Sequence, residues 1–177
     1  QNKDVGPITG QIAVKGQSFD PNSANADLKG NIASVGYGGY TYQNMALHGK
    51  VNRGAYNINL DSKDPNANLK LVASGVFNEK NPTIKVKGKI NKLDLNKLGF
   101  YQDPMIVAGE IDGDFTNLDP NFLNGYLRLN NFAISDSKDI FPLQEIYLNA
   151  VSTPENNSIE IKSQIADLDL VGKYKLT

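Results

Sequence analysis

Few side chains in this chain are placed to do chemistry. His48 is the only histidine. A Ser-His-Asp triad or an imidazole-based metal site would have to be built on it. It stands between Ala46 and Lys50 in one phase of an alternating run, which predicts a solvent-facing ring. Asp112 and Asp114 flank Gly113. Paired carboxylates can perform acid–base work, but the face opposite Ile111 and Phe115 must be wet, and solubility accounts for both. Asp64-Pro65-Asn66-Ala67-Asn68 has the opening of a calcium loop. That loop needs Gly at its sixth position and Glu at its twelfth. Leu69 and Gly75 stand there instead, so a turn is the better reading. Gly36-Tyr37-Gly38-Gly39 is glycine-rich, yet no Lys-Ser/Thr follows and no helix begins, which argues against a phosphate cradle. The absence of cysteine excludes disulfides and thiolate metal sites. No catalytic, cofactor-binding or metal-ligating residue is assigned, and the chain is expected not to be an enzyme and to need no cofactor.

The elements around these residues read almost entirely as strand. Gly10-Gln11-Ile12, Gly30-Asn31-Ile32, Gly49-Lys50-Val51, Gly88-Lys89-Ile90, Gly109-Glu110-Ile111, Gly125-Tyr126-Leu127 and Gly172-Lys173-Tyr174 share one form. Each is a small residue, a mostly polar residue and an apolar residue inside a period-two run, the signature of a strand with one wet and one apolar face. Roughly eleven strands of about 7 to 12 residues follow one another. Tyr40 and Tyr42 lie in one phase, and Met45, Leu47 and Val51 in the other. That slip predicts a bulge near Gln43-Asn44. Two short helical turns are expected, over Leu93–Gly99 and over Asp119–Gly125, the second with Asp119 as N-cap and Pro120 in first position. Asp-Pro-Asn turns begin at Asp20, Asp64 and Asp119.

Composition narrows the function classes. The 177 residues carry 18 basic and 19 acidic side chains, a formal net charge of -1. That balance gives no cationic face for nucleic acid. Lys85, Lys87, Lys89 and Lys92 form the densest basic stretch, and its alternation marks the solvated face of a strand. The chain opens at Gln1 without Met and ends in mid-strand. It reads as one continuous segment, residues 1–177, of a larger protein.

Glycine weakens a strand unless something comes close or the sheet must bend. Its repetition on the apolar face points to a strongly curved, mainly antiparallel sheet, folded into a taco-like apolar groove. The residues expected to line the groove are Ile58, Leu60, Leu69, Leu71, Ile84, Val86, Ile111, Phe115, Leu127, Leu129, Ile146, Leu148, Ile159, Ile161, Leu168 and Leu170. Their role would be passive apolar lining.

Several segments together resemble the translocation and assembly module (TamB) family of Bacteroidetes-type bacteria. They are Ala33 to Leu60, with Tyr40-Thr41-Tyr42-Gln43-Asn44 and Leu47-His48-Gly49-Lys50; Asp64 to Leu69; Leu93 to Gly99; Asn124-Gly125-Tyr126-Leu127; and Ala166 to Thr177. The resemblance covers most of the chain after Gly30. It implies an AsmA-like periplasmic protein of a Gram-negative bacterium, anchored in the inner membrane and built from stacked curved sheets. Such a protein is associated with phospholipid transport, and with outer-membrane protein assembly alongside an Omp85-type barrel partner. The family offers no catalytic residue to carry over. Two rival expectations stand beside it. One is a scaffold that binds client strands by edge pairing, with self-association of uncapped edges. The other is a surface adhesin with Tyr37, Tyr40 and Tyr42 as a sugar platform.

Overall fold

The computed structural model describes residues 5–18, 23–77, 80–136 and 138–173. The fold is all-β. Eleven strands form one antiparallel sheet in sequence order, with no crossover and no closure. They are β1 (Val5–Gln17), β2 (Asn25–Tyr37), β3 (Tyr40–Asn52), β4 (Ala55–Lys63), β5 (Ala67–Val76), β6 (Thr83–Asp94), β7 (Ile106–Asn117), β8 (Asn124–Ser135), β9 (Ile140–Ser152), β10 (Asn157–Ser163) and β11 (Asp167–Gly172). Short turns make this meander possible. Gly38 and Gly39 both take positive φ, as do Arg53 and Gly54. Two positive φ values in succession define the hairpin turn whose twist matches the strands.

Helical structure among the described residues is one 3-10 turn, Pro120–Phe122. Asp119 caps it by accepting from the Asn121 backbone N–H, and Pro120 leads it, as expected, but the turn is shorter than Asp119–Gly125, because Asn124 and Gly125 already belong to β8. The Leu93–Gly99 segment behaves differently. Leu93 and Asp94 still belong to β6, and only the residues after them turn. The Leu98 N–H donates to the Asp94 carbonyl, Asp94 Oδ1 accepts from the Lys97 N–H, and Gly99 ends the turn with φ 80°. The Asp20 turn, Tyr174 and Leu176 lie outside the described residues.

A line of irregularities crosses the sheet. Register shifts fall between Thr9 and Gly10, between Asn68 and Leu69, between Ile90 and Leu93, and between Ala108 and Glu110. Asn44 and Asn131, on the same line, take left-handed φ of 53° and 48°. Such bulges bend the strands that carry them. At Asn44 the expected phase slip is present, but it is shared. Ile32 pairs with Met45 and Ser34 with Gln43, so Ala33 and Asn44 slip together and no residue is inserted.

Strands β4 and β5 stop at this line, and the Asp64 turn fills the gap they leave. Asp64 is fully buried. Its Oδ1 accepts from Tyr40 Oη at 2.8 Å, from the Asn66 N–H at 2.8 Å and from the Ala67 N–H at 3.0 Å. Its Oδ2 accepts from the Gln43 N–H at 2.8 Å. Asn66 Nδ2 donates back to Tyr40 Oη, and the Asn66 carbonyl accepts from the Asp94 N–H. The carboxylate thus ties β3 to the β4–β5 turn, and the Asn66 carbonyl ties that turn to the end of β6. Burial first, and the Asp64 bond second, raise the Tyr40 pKa. A raised tyrosine pKa favours the neutral folded form. The stability it contributes is present below the ordinary tyrosine value and lost as pH rises through the raised one.

Asp64→Ala would leave three backbone donors without their partner, the Ala67 N–H buried and the Gln43 and Asn66 N–H groups part-buried. It is expected to cost about 3 kcal/mol or more in urea unfolding. Lys50→Ala removes an exposed ion pair to Asp27 and should cost under about 1 kcal/mol. Equal losses in the two variants would contradict the anchoring role of Asp64.

Candidate functional site

The register brings all sixteen expected lining residues onto one face. Leu60 pairs with Leu71, Leu71 with Gly88, Gly88 with Ile111, Ile111 with Leu129, and Leu129 with Ile146. Beside this row runs a second, from Ile58 through Ala73, Val86, Gly113, Leu127, Leu148 and Ile161 to Leu168. A third runs from Tyr56 through Gly75, Ile84, Phe115, Gly125, Ala150 and Ile159 to Leu170 on the same strands. Leu69 sits on this face just inside the crease, opposite Ser62 and Ile90. Fourteen of the sixteen are half-buried; Leu168 and Leu170, at the β11 edge, are exposed. None is packed beneath a second layer. Every substantial contact between strands is with the next strand in sequence.

The rows extend beyond the sixteen expected residues into β1–β3. Ile12, Gly30 and Leu47 continue the first row, Val14, Leu28 and Gly49 the second, and Gly16, Ala26 and Val51 the third. The signal was available, because β1–β3 carry the same glycine-polar-apolar rhythm. Within the three rows the polar side-chain atoms are Tyr56 Oη, which donates to the Thr83 carbonyl, and Ser163 Oγ, which donates to the Ala166 carbonyl. The ribbon therefore offers no free hydrogen-bonding group. Its dimensions are about 48 Å across eleven strands and about 14 Å along them.

The glycines on this face are filled from the side. A Cβ on Gly113 would lie 3.2 Å from Val86 Cγ1 and 3.3 Å from Leu127 Cδ1. One on Gly88 would collide with the Lys70 carbonyl oxygen and Leu71 Cδ2. One on Gly49 would meet Ile58 Cγ1 at an ordinary 3.5 Å. Both reasons for strand glycine are seen here: atoms of adjacent strands approach Gly88 and Gly113 closely, and Gly10 and Gly109 sit at register shifts with φ of 156° and 151°.

The opposite face is polar and its charge is segregated. Lys15, Lys29, Lys50, Lys70, Lys85, Lys87 and Lys89 outnumber Asp27 and Asp61 on β1–β6. On β7–β11, Glu110, Asp112, Asp114, Glu145, Glu160, Asp167 and Asp169 outnumber Arg128 and Lys162. The seam between the halves is the β6–β7 pair, bridged by Lys85–Asp114 at 3.0 Å and Lys87–Asp112 at 3.1 Å. Asp112 and Asp114 are thus occupied by lysines. The Asp114 bond is the leading cause of a raised Lys85 pKa. His48 is exposed on this face, opposite Lys29 and Asn59. Two shallow clefts also lie here, about 520 Å³ lined by Lys15, Lys29 and Lys50, and about 580 Å³ lined by Lys70, Lys87 and Lys89.

The remaining candidates resolve by geometry. Asp64 faces N–H and O–H donors, the wrong environment for a cation. Among the described residues no group of three His, Asp or Glu side chains could hold a metal. Tyr40 and Tyr42 pack edge to face at 4.8 Å, with the Tyr40 hydroxyl committed to Asp64. No helix of the described residues is long and apolar enough to cross a membrane. No protein-family model, no curated protein and no solved structure matches the chain.

Gly88→Ala should cost about 1–3 kcal/mol through overpacking, whereas Gly49→Ala should stay within about 1 kcal/mol of the unaltered chain. Chemical denaturation of both reads the difference. Similar values would mean that the β5 backbone at Lys70 and the Leu71 side chain both shift to make room.

Proposed function

We propose that this chain is a segment of a periplasmic protein of the TamB, AsmA-like kind, whose apolar β-groove carries phospholipid acyl chains from the inner toward the outer membrane. The observation that carries the reading is the uncovered ribbon of three apolar rows. A soluble sheet normally buries such a face beneath a second layer, and exposed apolar areas of this extent mark interaction sites. The occupant should match the ribbon: long, narrow and without hydrogen-bonding groups along its length. An acyl chain meets all three conditions. Each methylene removed from water contributes about 0.8 kcal/mol, and with no polar contact to break, the chain can slide. The ribbon runs out to the unpaired edges β1 and β11 among the described residues, so it can continue into further strands of the same kind. Eleven strands span about 48 Å, too little to bridge two membranes, which fits a segment of a longer conduit. In the full protein an inner-membrane anchor and an Omp85-type barrel partner would define its ends, and the same groove would support outer-membrane protein assembly.

Gentle purification followed by native mass spectrometry and lipid extraction tests this. Phospholipid is expected to co-purify with the unaltered chain. Leu129→Asp, at the centre of the first row, should abolish it while circular dichroism shows the sheet intact, because a carboxylate in an apolar lining is costly to desolvate. A folded chain that neither retains phospholipid nor takes up a labelled one would contradict the proposal.

A further inference from the structure

The edge of β11 that no described strand pairs with carries a charge pattern that is completed elsewhere in the sheet. Along β11, Asp167 and Asp169 point to the polar face and Leu168 and Leu170 to the apolar one. On its paired side, Glu160 stands directly opposite Asp169, and Lys162 opposite Asp167. The Lys162 ammonium is ion-paired to Glu160. Like charges facing each other across a strand pair are destabilising; Lys162 attracts Asp169 and Asp167 at longer range, but its ion pair is with Glu160, and among the described residues none is formed with Asp169. The other side of β11 has no neighbouring strand among the described residues. It presents the row of backbone donors and acceptors that templates strand addition.

The β6–β7 pair shows how this sheet satisfies the same pattern. Strand β7 also alternates acid with apolar or small residues, through Ile111, Asp112, Gly113, Asp114 and Phe115. Its partner β6 sets Lys85 against Asp114 and Lys87 against Asp112, while Ile84, Val86 and Gly88 meet Phe115, Gly113 and Ile111 on the other face. Strand β11 repeats the acidic half of this arrangement.

We propose that the β11 edge accepts an added antiparallel strand in which lysine or arginine alternates with apolar residues. The backbone ladder supplies affinity, and the alternating side chains supply choice. The incoming cations meet Asp169 and Asp167, and the incoming apolar residues extend the ribbon beyond Leu168 and Leu170. A second copy of this chain fits poorly. Pairing β11 with another β11 sets aspartates against aspartates. Strand β1 carries a single lysine, Lys15, on its polar face, and it runs parallel to β11, since ten antiparallel steps separate them. Strand addition here uses backbone groups and the polar face, and is independent of whether the apolar face carries lipid.

A blocked, fluorescent ten-residue peptide with the sequence of residues 83–92 is the probe, compared with a version carrying glutamate for every lysine. The lysine peptide should bind the 177-residue chain at least about tenfold more tightly, and its affinity should fall as salt rises. Hydrogen exchange should slow at residues 167–172. The double variant Asp167→Lys/Asp169→Lys should reverse the preference, and the milder Asp169→Asn should weaken lysine-peptide binding with no change in shape. Absence of binding, equal binding of the two peptides, protection centred on another strand, or a preference unchanged in a folded charge-reversed variant would each overturn the assignment.

Discussion

Everything in this molecule depends on keeping phase. Among the described residues, a sheet of eleven strands in sequence order has no second layer to correct an error, so each strand is oriented only by its neighbours. A one-residue slip between two strands would turn every later side chain over, and lysines would enter the apolar rows. The register is specified twice at the central β6–β7 pair. On one face Leu71 and Ile111 close over Gly88, and Val86 and Leu127 over Gly113. On the other, Lys85 and Lys87 meet Asp114 and Asp112. At each of those ladders a slip would lose packing and ion pairing together. Exposed ion pairs contribute little stability singly, and their value here lies in choosing the register.

Most changes of phase fall along one line, and two others, between Val5 and Ile8 and between Phe115 and Asn117, lie nearer strand ends. The shared slip at Ala33 and Asn44, and the bulges at Gly10, Asn91, Gly109 and Asn131, keep the apolar face continuous up to a crease. The Asp64 turn closes the gap that β4 and β5 leave there. A fully buried carboxylate is tolerated because four hydrogen-bond donors surround it. The outcome is a sheet with two unlike faces: a ribbon without free polar atoms, and a charged surface that changes sign at the β6–β7 seam.

The all-β class, the number of strands, the antiparallel order and the apolar face were legible because period-two alternation states them directly, as in Tyr56, Ile58 and Leu60. The Asp119 cap was legible because capping is local. The Asp64 anchor was not. Asp-Pro-Asn announces a turn, but the partners Tyr40 and Gln43 are distant in sequence and become neighbours only once β3 outruns β4. The reach of the ribbon into β1–β3 was visible in Ile12, Val14, Leu28 and Leu47 and went unassigned. The charge seam needs the register, since no single strand shows that β1–β6 and β7–β11 differ in sign.

The central claim is that lipid lies on one face of this sheet and not on the other. Leu129 and Arg128 are adjacent on β8 and point to opposite faces. A photo-crosslinking amino acid placed at each in turn, in cells or with phospholipid vesicles, compares the faces at one place in the sheet. Phospholipid adducts at Leu129 and none at Arg128 are the expected result. Adducts at Arg128, or equal yields at the two positions, would contradict it.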